Sequence, residues 1–239
     1  MPYFFQENLS QDSFALSSEE SKHITKSMRL KEGDFIWITD GKGTLAKAAL
    51  TNSFKDSCEV EIVERVFHDK STVKELYLAV APTKNPDRIE WLVEKAVEIG
   101  VSQISFIICD RSERKHVDLN RLHRIAIAAL KQSQGMWLPE LKMLSFSQFI
   151  NENSALSADK FIAYCDNKAQ AHEWSDIKLQ HSAVVFLIGP EGDFTSQEVA
   201  LAKENGFQQI SFGEKILRTE TAALLVVCWF SGLRFFLAQ

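Results

Sequence analysis

The sequence predicts an α/β chain: a small β-rich domain, then a larger domain on a mostly parallel sheet with helices on both faces. Three observations carry this. Short strand-like segments bounded by Gly-rich and polar turns fill about the first seventy residues. From Glu75 onward, apolar strand-like runs alternate with helical ones, the rhythm of βαβ units. Between them lies a polar stretch, His68-Asp69-Lys70-Ser71-Thr72, which reads as a linker and sets the domains at 1–70 and 71–239.

Taken in order, residues 18–28 read as a helix, with Ser17 or Ser18 as its cap and Glu19 and Glu20 in its first turn. Residues 34–40 are a strand ending in the turn Asp40-Gly41-Lys42-Gly43. Residues 45–50 and 58–66 supply further strands. In the second, Val60, Ile62 and Val66 face one side, and Glu59, Glu61 and Arg65 the other. One helix and several short strands make a small barrel. In the larger domain, residues 76–81 are a strand and 87–99 a helix closed by Gly100. Residues 104–109 are a strand, followed by a helix over 119–134. Strands over 161–165 and 183–188 come next, then a helix over 196–205 stopped by Gly206. A strand over 209–212 and a helix over 219–236 end the chain.

Composition narrows the class. A hydrophobic content of 45% with 25% charged residues is that of a soluble globular protein. The longest uncharged apolar run, residues 222–230, falls short of the ~20 residues a membrane span needs, so it reads as a buried helix. The start, Met1-Pro2-Tyr3-Phe4-Phe5-Gln6-Glu7, has no basic n-region or apolar h-region, and the expected location is cytoplasmic. Cys58, Cys109, Cys165 and Cys228 lie far apart beside apolar segments. That pattern fits buried structural thiols, not a zinc knuckle or a disulfide framework. The histidines lack metal-ligand spacing, and no metal is expected. A net charge of −5 argues against a nucleic-acid partner, but the distribution argues back. Lys22, Lys26, Arg29 and Lys31 share a ten-residue stretch with no acid, and Arg111, Arg114, Lys115, Arg121, Arg124 and Lys131 face only Glu113 and Asp118. Both a solvated charged face and a set of phosphate contacts fit such patches.

The chemistry concentrates in two turns, each at the C-terminal end of a strand, where open α/β sheets place their ligand crevice. The first is Ile188-Gly189-Pro190-Glu191-Gly192-Asp193; the second runs from Phe212-Gly213 through Ile216-Leu217-Arg218-Thr219-Glu220-Thr221-Ala222. Neither is a G-x-G-x-x-G or a P-loop, so a phosphate cradle is unsupported. Gly189, Gly192 and Gly213 let backbone approach a ligand closely, and Pro190 stiffens one wall. Backbone N–H and C=O groups there can read the edge of a flat ring such as adenine. Thr219 or Thr221 suits a helix N-cap, and Glu220 suits the helix dipole. Arg218 does not: a cation at the positive end of a helix points to an electrostatic task.

These residues resemble the RsmE family of ribosomal RNA methyltransferases, SPOUT-class enzymes that methylate N3 of a uridine in 16S rRNA. Four further motifs follow in family order: His23 to Asp34 with Asp40-Gly41-Lys42-Gly43, Glu90 to Val101, Arg111-Ser112-Glu113-Arg114, and Gln132-Ser133 with Pro139. The resemblance covers nearly the whole chain. It implies a PUA-like β-barrel that helps bind RNA, then a SPOUT methyltransferase domain with a C-terminal trefoil knot. It implies S-adenosyl-L-methionine as cofactor, held by Ile188, Gly189, Pro190, Glu191 and Gly192, and by Phe212, Gly213, Ile216, Leu217, Arg218, Thr219 and Ala222. It further implies a homodimer, for which the apolar helix over 221–236 suits the interface, and 16S rRNA or the small subunit as substrate.

On this reading Arg218 stabilises charge developing on the uracil oxygens. Glu220 serves as general base, directly or through water, or simply complements the dipole and bonds the loop. Lys22, Lys26, Arg29, Arg111, Arg114 and Lys115 are the expected phosphate contacts. The chain departs from the family in having Asp193 for a third glycine and Lys131 for a glutamate. Gln134-Gly135-Met136-Trp137 also replaces an arginine. Trp137 either stacks on a base or packs in the core. Two rival functions stay in play: methylation of transfer RNA or another rRNA position, and a catalytically silent RNA-binding protein.

Overall fold

The computed structural model describes residues 3–54, 57–70, 74–164, 172–173 and 177–237. The chain divides into two compact units, Met1–Thr72 with Ile127–Leu138, and Val73–Ala126 with Pro139–Gln239. Of the sequence expectations, Cys165, Ser71 and Thr72 lie outside the described residues.

The first unit holds β1 (Tyr3–Phe5), β2 (Ser13–Ala15), β3 (Phe35–Thr39), β4 (Thr44–Phe54) and β5 (Ser57–Phe67) in one sheet, ordered β1-β3-β4-β5-β2. Sequence periodicity misses β1 and β2, which are too short to alternate. The β3–β4 turn closes on Asp40, whose Oδ1 accepts from the Lys42 N–H (2.7 Å) and the Thr44 N–H (2.9 Å). In β5 the expected alternation holds for Val60 and Ile62 and then breaks. The register shifts between Lys47 and Ala48, so Val63 is the extra residue of a bulge and stands 60% exposed. Beyond it the Arg65 guanidinium donates to the carbonyls of Leu9 (3.0 Å) and Gln11 (2.8 Å) and pairs with Asp12 (2.7 Å).

Ser17 caps α1 (Ser18–Lys22) by accepting from the Glu20 N–H. The expected single helix instead continues as a π-helical turn over His23–Met28, ended by Arg29 in the left-handed region at φ 56°. Phe4, Ile24, Ile36, Ile38, Leu50 and Val60 form the core of this unit.

The segment Ile127–Leu138 belongs to this unit and carries Lys131 and Trp137. Lys131 Nζ lies 2.7 Å from Glu20 Oε1, with side-chain exposures of 18% and 7%. The same oxygen accepts from the Phe5 N–H at 3.3 Å, so the lysine neutralises a buried carboxylate that also tethers β1. Trp137 is half-buried over Gly43, where an added Cβ would fall 2.3 Å from the indole ring. The Gly43 N–H donates to Met136 O (3.0 Å), and the Lys70 ammonium sits 5.9 Å from the ring centre. Trp137 is therefore a packed tryptophan.

Among the described residues, the second unit is built on seven parallel strands ordered β10-β12-β9-β11-β6-β7-β8. They are β6 (Glu75–Val80), β7 (Gln103–Ile108), β8 (Glu140–Ser145), β9 (Asp159–Ala163), β10 (His172–Glu173), β11 (Ala183–Ile188) and β12 (Gln208–Ser211). The helices are α2 (Pro86–Ile99), α3 (Leu119–Gln132, of which residues 119–126 belong to this unit), α4 (Phe146–Asn153), α5 (Ser196–Glu204) and α6 (Thr219–Leu237). Every residue of β11 is buried, as a central strand covered on both faces requires. Asn85 caps α2, and Gly100 ends it in the left-handed conformation at φ 101°. Thr195 and Glu198 form a capping box on α5. Sequence reading misses β8, β10 and α4: β8 is an edge strand, and α4 is too short for a clear period.

The expectation of buried thiols needs correction at one position. Cys58 and Cys109 are buried, and desolvation raises both thiol pKa values, but Cys228 is exposed. The reason is that α6 is buried on one face only. Ala223, Val226, Val227 and Phe230 face the core, while Thr221 and Cys228 face out. Among the described residues, no helix is long and apolar enough to cross a membrane.

Candidate functional site

The C-terminal ends of β9, β11 and β12 surround a cavity of about 430 Å³. Its lining comprises Ile188 to Asp193, Ile210 to Gly213, Lys215 to Thr219, Ala222, and Ala163 with Tyr164. Every residue that the sequence places at the cofactor thus lines one cavity. Sequence reasoning missed Ala163, Tyr164, Asp193, Ile210, Ser211 and Lys215. The first two matter most. The two glycine turns do not end adjacent strands, because β9 lies between β11 and β12 and ends in the same crevice. The signal available was the apolar strand at 161–165, which a parallel sheet must also terminate at this edge.

A direct bond joins the two turns: Thr219 Oγ1 donates to Gly189 O at 3.0 Å. The glycines play different parts. Gly213 has φ 93° and open space where a Cβ would stand, so its backbone demands glycine and leaves the cavity side clear. At Gly189 a Cβ would meet the Phe194 ring at 3.1 Å, and at Gly192 it would meet Arg111 Cβ at 3.3 Å. Those two glycines make room for protein side chains as well as lining the cavity. Asp193 adopts φ 59°, a region Asp tolerates, and its Oδ1 accepts from the next N–H, of Phe194, at 2.8 Å. The aspartate therefore keeps the turn that a glycine would make.

Neighbouring loops brace the first turn. Glu191 Oε1 accepts from the Lys84 N–H at 3.2 Å. Arg111 Nη1 donates to Gly192 O at 2.9 Å and to Phe194 O at 3.4 Å. Buried Glu198 accepts from the N–H groups of Asp110 (3.0 Å) and Thr195 (2.8 Å).

The second turn carries Arg218, which lines the cavity and is exposed. Its guanidinium has no partner among the described residues, so its charge stays available to a ligand. Glu220 is placed otherwise. It is buried, absent from the lining, and has Oε1 3.6 Å from Arg88 Nε at the start of α2. Its Oε2 is buried without a hydrogen-bond partner. Ile216 is an apolar side chain on the lining and is 82% exposed.

The expected phosphate contacts fall in two places. Lys22, Lys26 and Arg29 are exposed along α1 and its π-helical extension in the first unit. Lys115 is exposed and Arg114 half-buried on the loop between β7 and α3 in the second.

Comparison with known proteins adds an independent line. An RNA methyltransferase domain model matches residues 69–231, and an RNA methyltransferase PUA domain model matches residues 16–63. A crystal structure of a probable rRNA-methyltransferase from Porphyromonas gingivalis shares 35% identity with a TM-score of 0.88, covering 98% of each chain. The structure of ribosomal RNA small subunit methyltransferase E from Neisseria gonorrhoeae, bound to S-adenosyl methionine, shares 28% identity with a TM-score of 0.84, covering 98% of each chain. Ribosomal RNA small subunit methyltransferase E of Aquifex aeolicus is 29% identical over 95% of this chain and 97% of its own length.

Proposed function

Because this chain belongs to the RNA methyltransferase family, we propose that it methylates N3 of a uridine in 16S rRNA, with S-adenosylmethionine as methyl donor. The observation that carries the reading is the cavity in which the two glycine turns meet around a free Arg218. Its size and its mix of apolar side chains with backbone polar groups suit a nucleoside-sized ligand. Bound there, S-adenosylmethionine supplies an electrophilic methyl group on sulfur. The rest falls to the chain's own groups. Ile188 to Gly192 with Phe212, Gly213, Ile216 and Leu217 hold and orient the ligand, while Thr219 locks one turn to the other. A uracil must leave its stack to reach this depth. The N3 proton passes to water, the methyl group leaves sulfur as its bond to N3 forms, and Arg218 would stabilise the negative charge shared by the flanking oxygens. Glu220 anchors the first turn of α6 against Arg88 and so sets where Arg218 points.

The test is methylation of 16S rRNA and of purified small subunits with labelled methyl donor, the product nucleoside then being identified. N3-methyluridine is the expected product. A methylated transfer RNA or a different methylated atom would replace this reading with its nearest rival. No cofactor binding, even with RNA, would leave only an RNA-binding protein.

Lys22, Lys26, Arg29, Arg114 and Lys115 are proposed phosphate contacts. Neutralising Lys22, Lys26 and Arg29 together is expected to weaken RNA binding and to flatten the slope of log K against log salt by about two units, at roughly 0.7 per phosphate contact on single strands. Salt-dependent filter binding reads this directly.

The homodimer, the C-terminal trefoil knot and the cytoplasmic location belong to the same proposal. Thr221, Leu225, Cys228 and Gly232 recur on the open side of α6, a stripe suited to a second copy. Iodoacetamide at pH 8 is expected to leave Cys58 and Cys109 unmodified, since burial disfavours their thiolates. Cys228 should react where light scattering reports a monomer and be protected where it reports a dimer, with peptide mass spectrometry as the readout.

A further inference from the structure

The loop after β7 grips the first glycine turn at several points. Arg111 Nη1 spends its donors on the carbonyls of Gly192 (2.9 Å) and Phe194 (3.4 Å). Beside it, the Asp110 N–H donates to Glu198 Oε1 (3.0 Å), and Thr195 Oγ1 donates to Asp110 Oδ2 (3.4 Å). The turn is shaped to receive this arginine: a Cβ at Gly192 would stand 3.3 Å from Arg111 Cβ. A basic side chain on a proposed RNA-binding loop would ordinarily extend to solvent. Arg111 is exposed, yet its Nη1 is committed to two carbonyls of the turn that walls the cavity, which ties the path of residues 192–194 to the loop after β7.

We infer that Arg111 is a positioning residue for the cofactor turn and not a phosphate ligand. The inference rests on the reading of the cavity as the S-adenosylmethionine site. With Arg111 removed, Gly192 O and Phe194 O lose their donor, and the turn is freed to leave the shape that builds the cavity wall. Lysine is an incomplete substitute, because a flexible ammonium does not reproduce the planar, pre-oriented guanidinium.

The experiment uses the full chain and two readouts: calorimetric affinity for S-adenosylhomocysteine without RNA, and the salt dependence of binding to a 16S rRNA fragment. Arg111→Ala is expected to weaken S-adenosylhomocysteine tenfold or more and to raise the donor KM more than it lowers kcat. The slope of log K against log salt should remain that of the wild type. Arg111→Lys should recover part of the affinity. Should Arg111→Ala fail to fold, Arg111→Lys decides the matter: it keeps the charge and the slope, and S-adenosylhomocysteine affinity equal to that of the wild type would overturn the inference. Unchanged ligand affinity with a slope shallower by roughly 0.7 would make Arg111 a phosphate contact and overturn the inference. Wild-type protein that binds no S-adenosylhomocysteine would instead sink the reading of the cavity.

Discussion

Arg218→Ala is expected to lower kcat by about 10²–10³-fold, the usual cost of removing one preorganised charge-stabilising donor, while the protein stays folded. The side chain is exposed, lines the cavity and has no partner among the described residues, so its loss breaks no internal contact. The affinity for S-adenosylhomocysteine should change much less than kcat, because the charge Arg218 serves develops on the uracil. Single-turnover methylation with saturating RNA and donor separates the two effects. Activity within a few-fold of wild type would remove Arg218 from the mechanism. Glu220→Gln sharpens the comparison. If Glu220 acts by holding Arg88, the double variant with Arg88→Gln should cost little more than either single one. A general base would instead give a large loss with Glu220→Gln, whatever stands at Arg88.

Lys131→Ala is expected to destabilise the fold by about 3 kcal/mol, the low end for removing one member of a buried ion pair, since the lysine keeps some exposure. What remains is the Glu20 carboxylate, 7% exposed and already carrying one oxygen without a partner. Removing both charges together should recover most of the loss, because Glu20→Gln with Lys131→Met still offers the Phe5 N–H an acceptor and leaves no buried charge. Urea unfolding of the full chain, followed by tryptophan fluorescence, reads both variants. Equal stability of Lys131→Ala and wild type would show that the pair is solvated and contributes nothing.

The sequence was legible wherever a short window carries its own physics. β11, α2 and α5 were readable from apolar runs, capping residues and stop signals, within a residue or two of where they stand. Both glycine turns were visible as Gly-bearing segments after strands, and Arg218 as a charge at the wrong end of a helix. Where a window carried too little, reading failed. β1, β2 and β10 have two or three residues each, and the bulge at Val63 inverts an alternation that looked regular.

What the sequence determined by itself is the class of the molecule: a β-rich unit followed by a parallel α/β unit, with a ligand crevice at the strand ends and the residues that line it from two turns. Periodicity, capping and turn chemistry act between residues a few positions apart, so a linear string records them. Only the tertiary structure decided what depends on which strand lies beside which. β9 comes between β11 and β12, and so Ala163 and Tyr164 complete the cavity. Lys131 meets Glu20 across a sequence separation of 111, Arg111 grips a turn some eighty residues later, and Glu220 turns from the cavity to Arg88. Strand order in a parallel sheet is set by crossover connections, and a long-range ion pair by the packing they produce, so no local pattern records either.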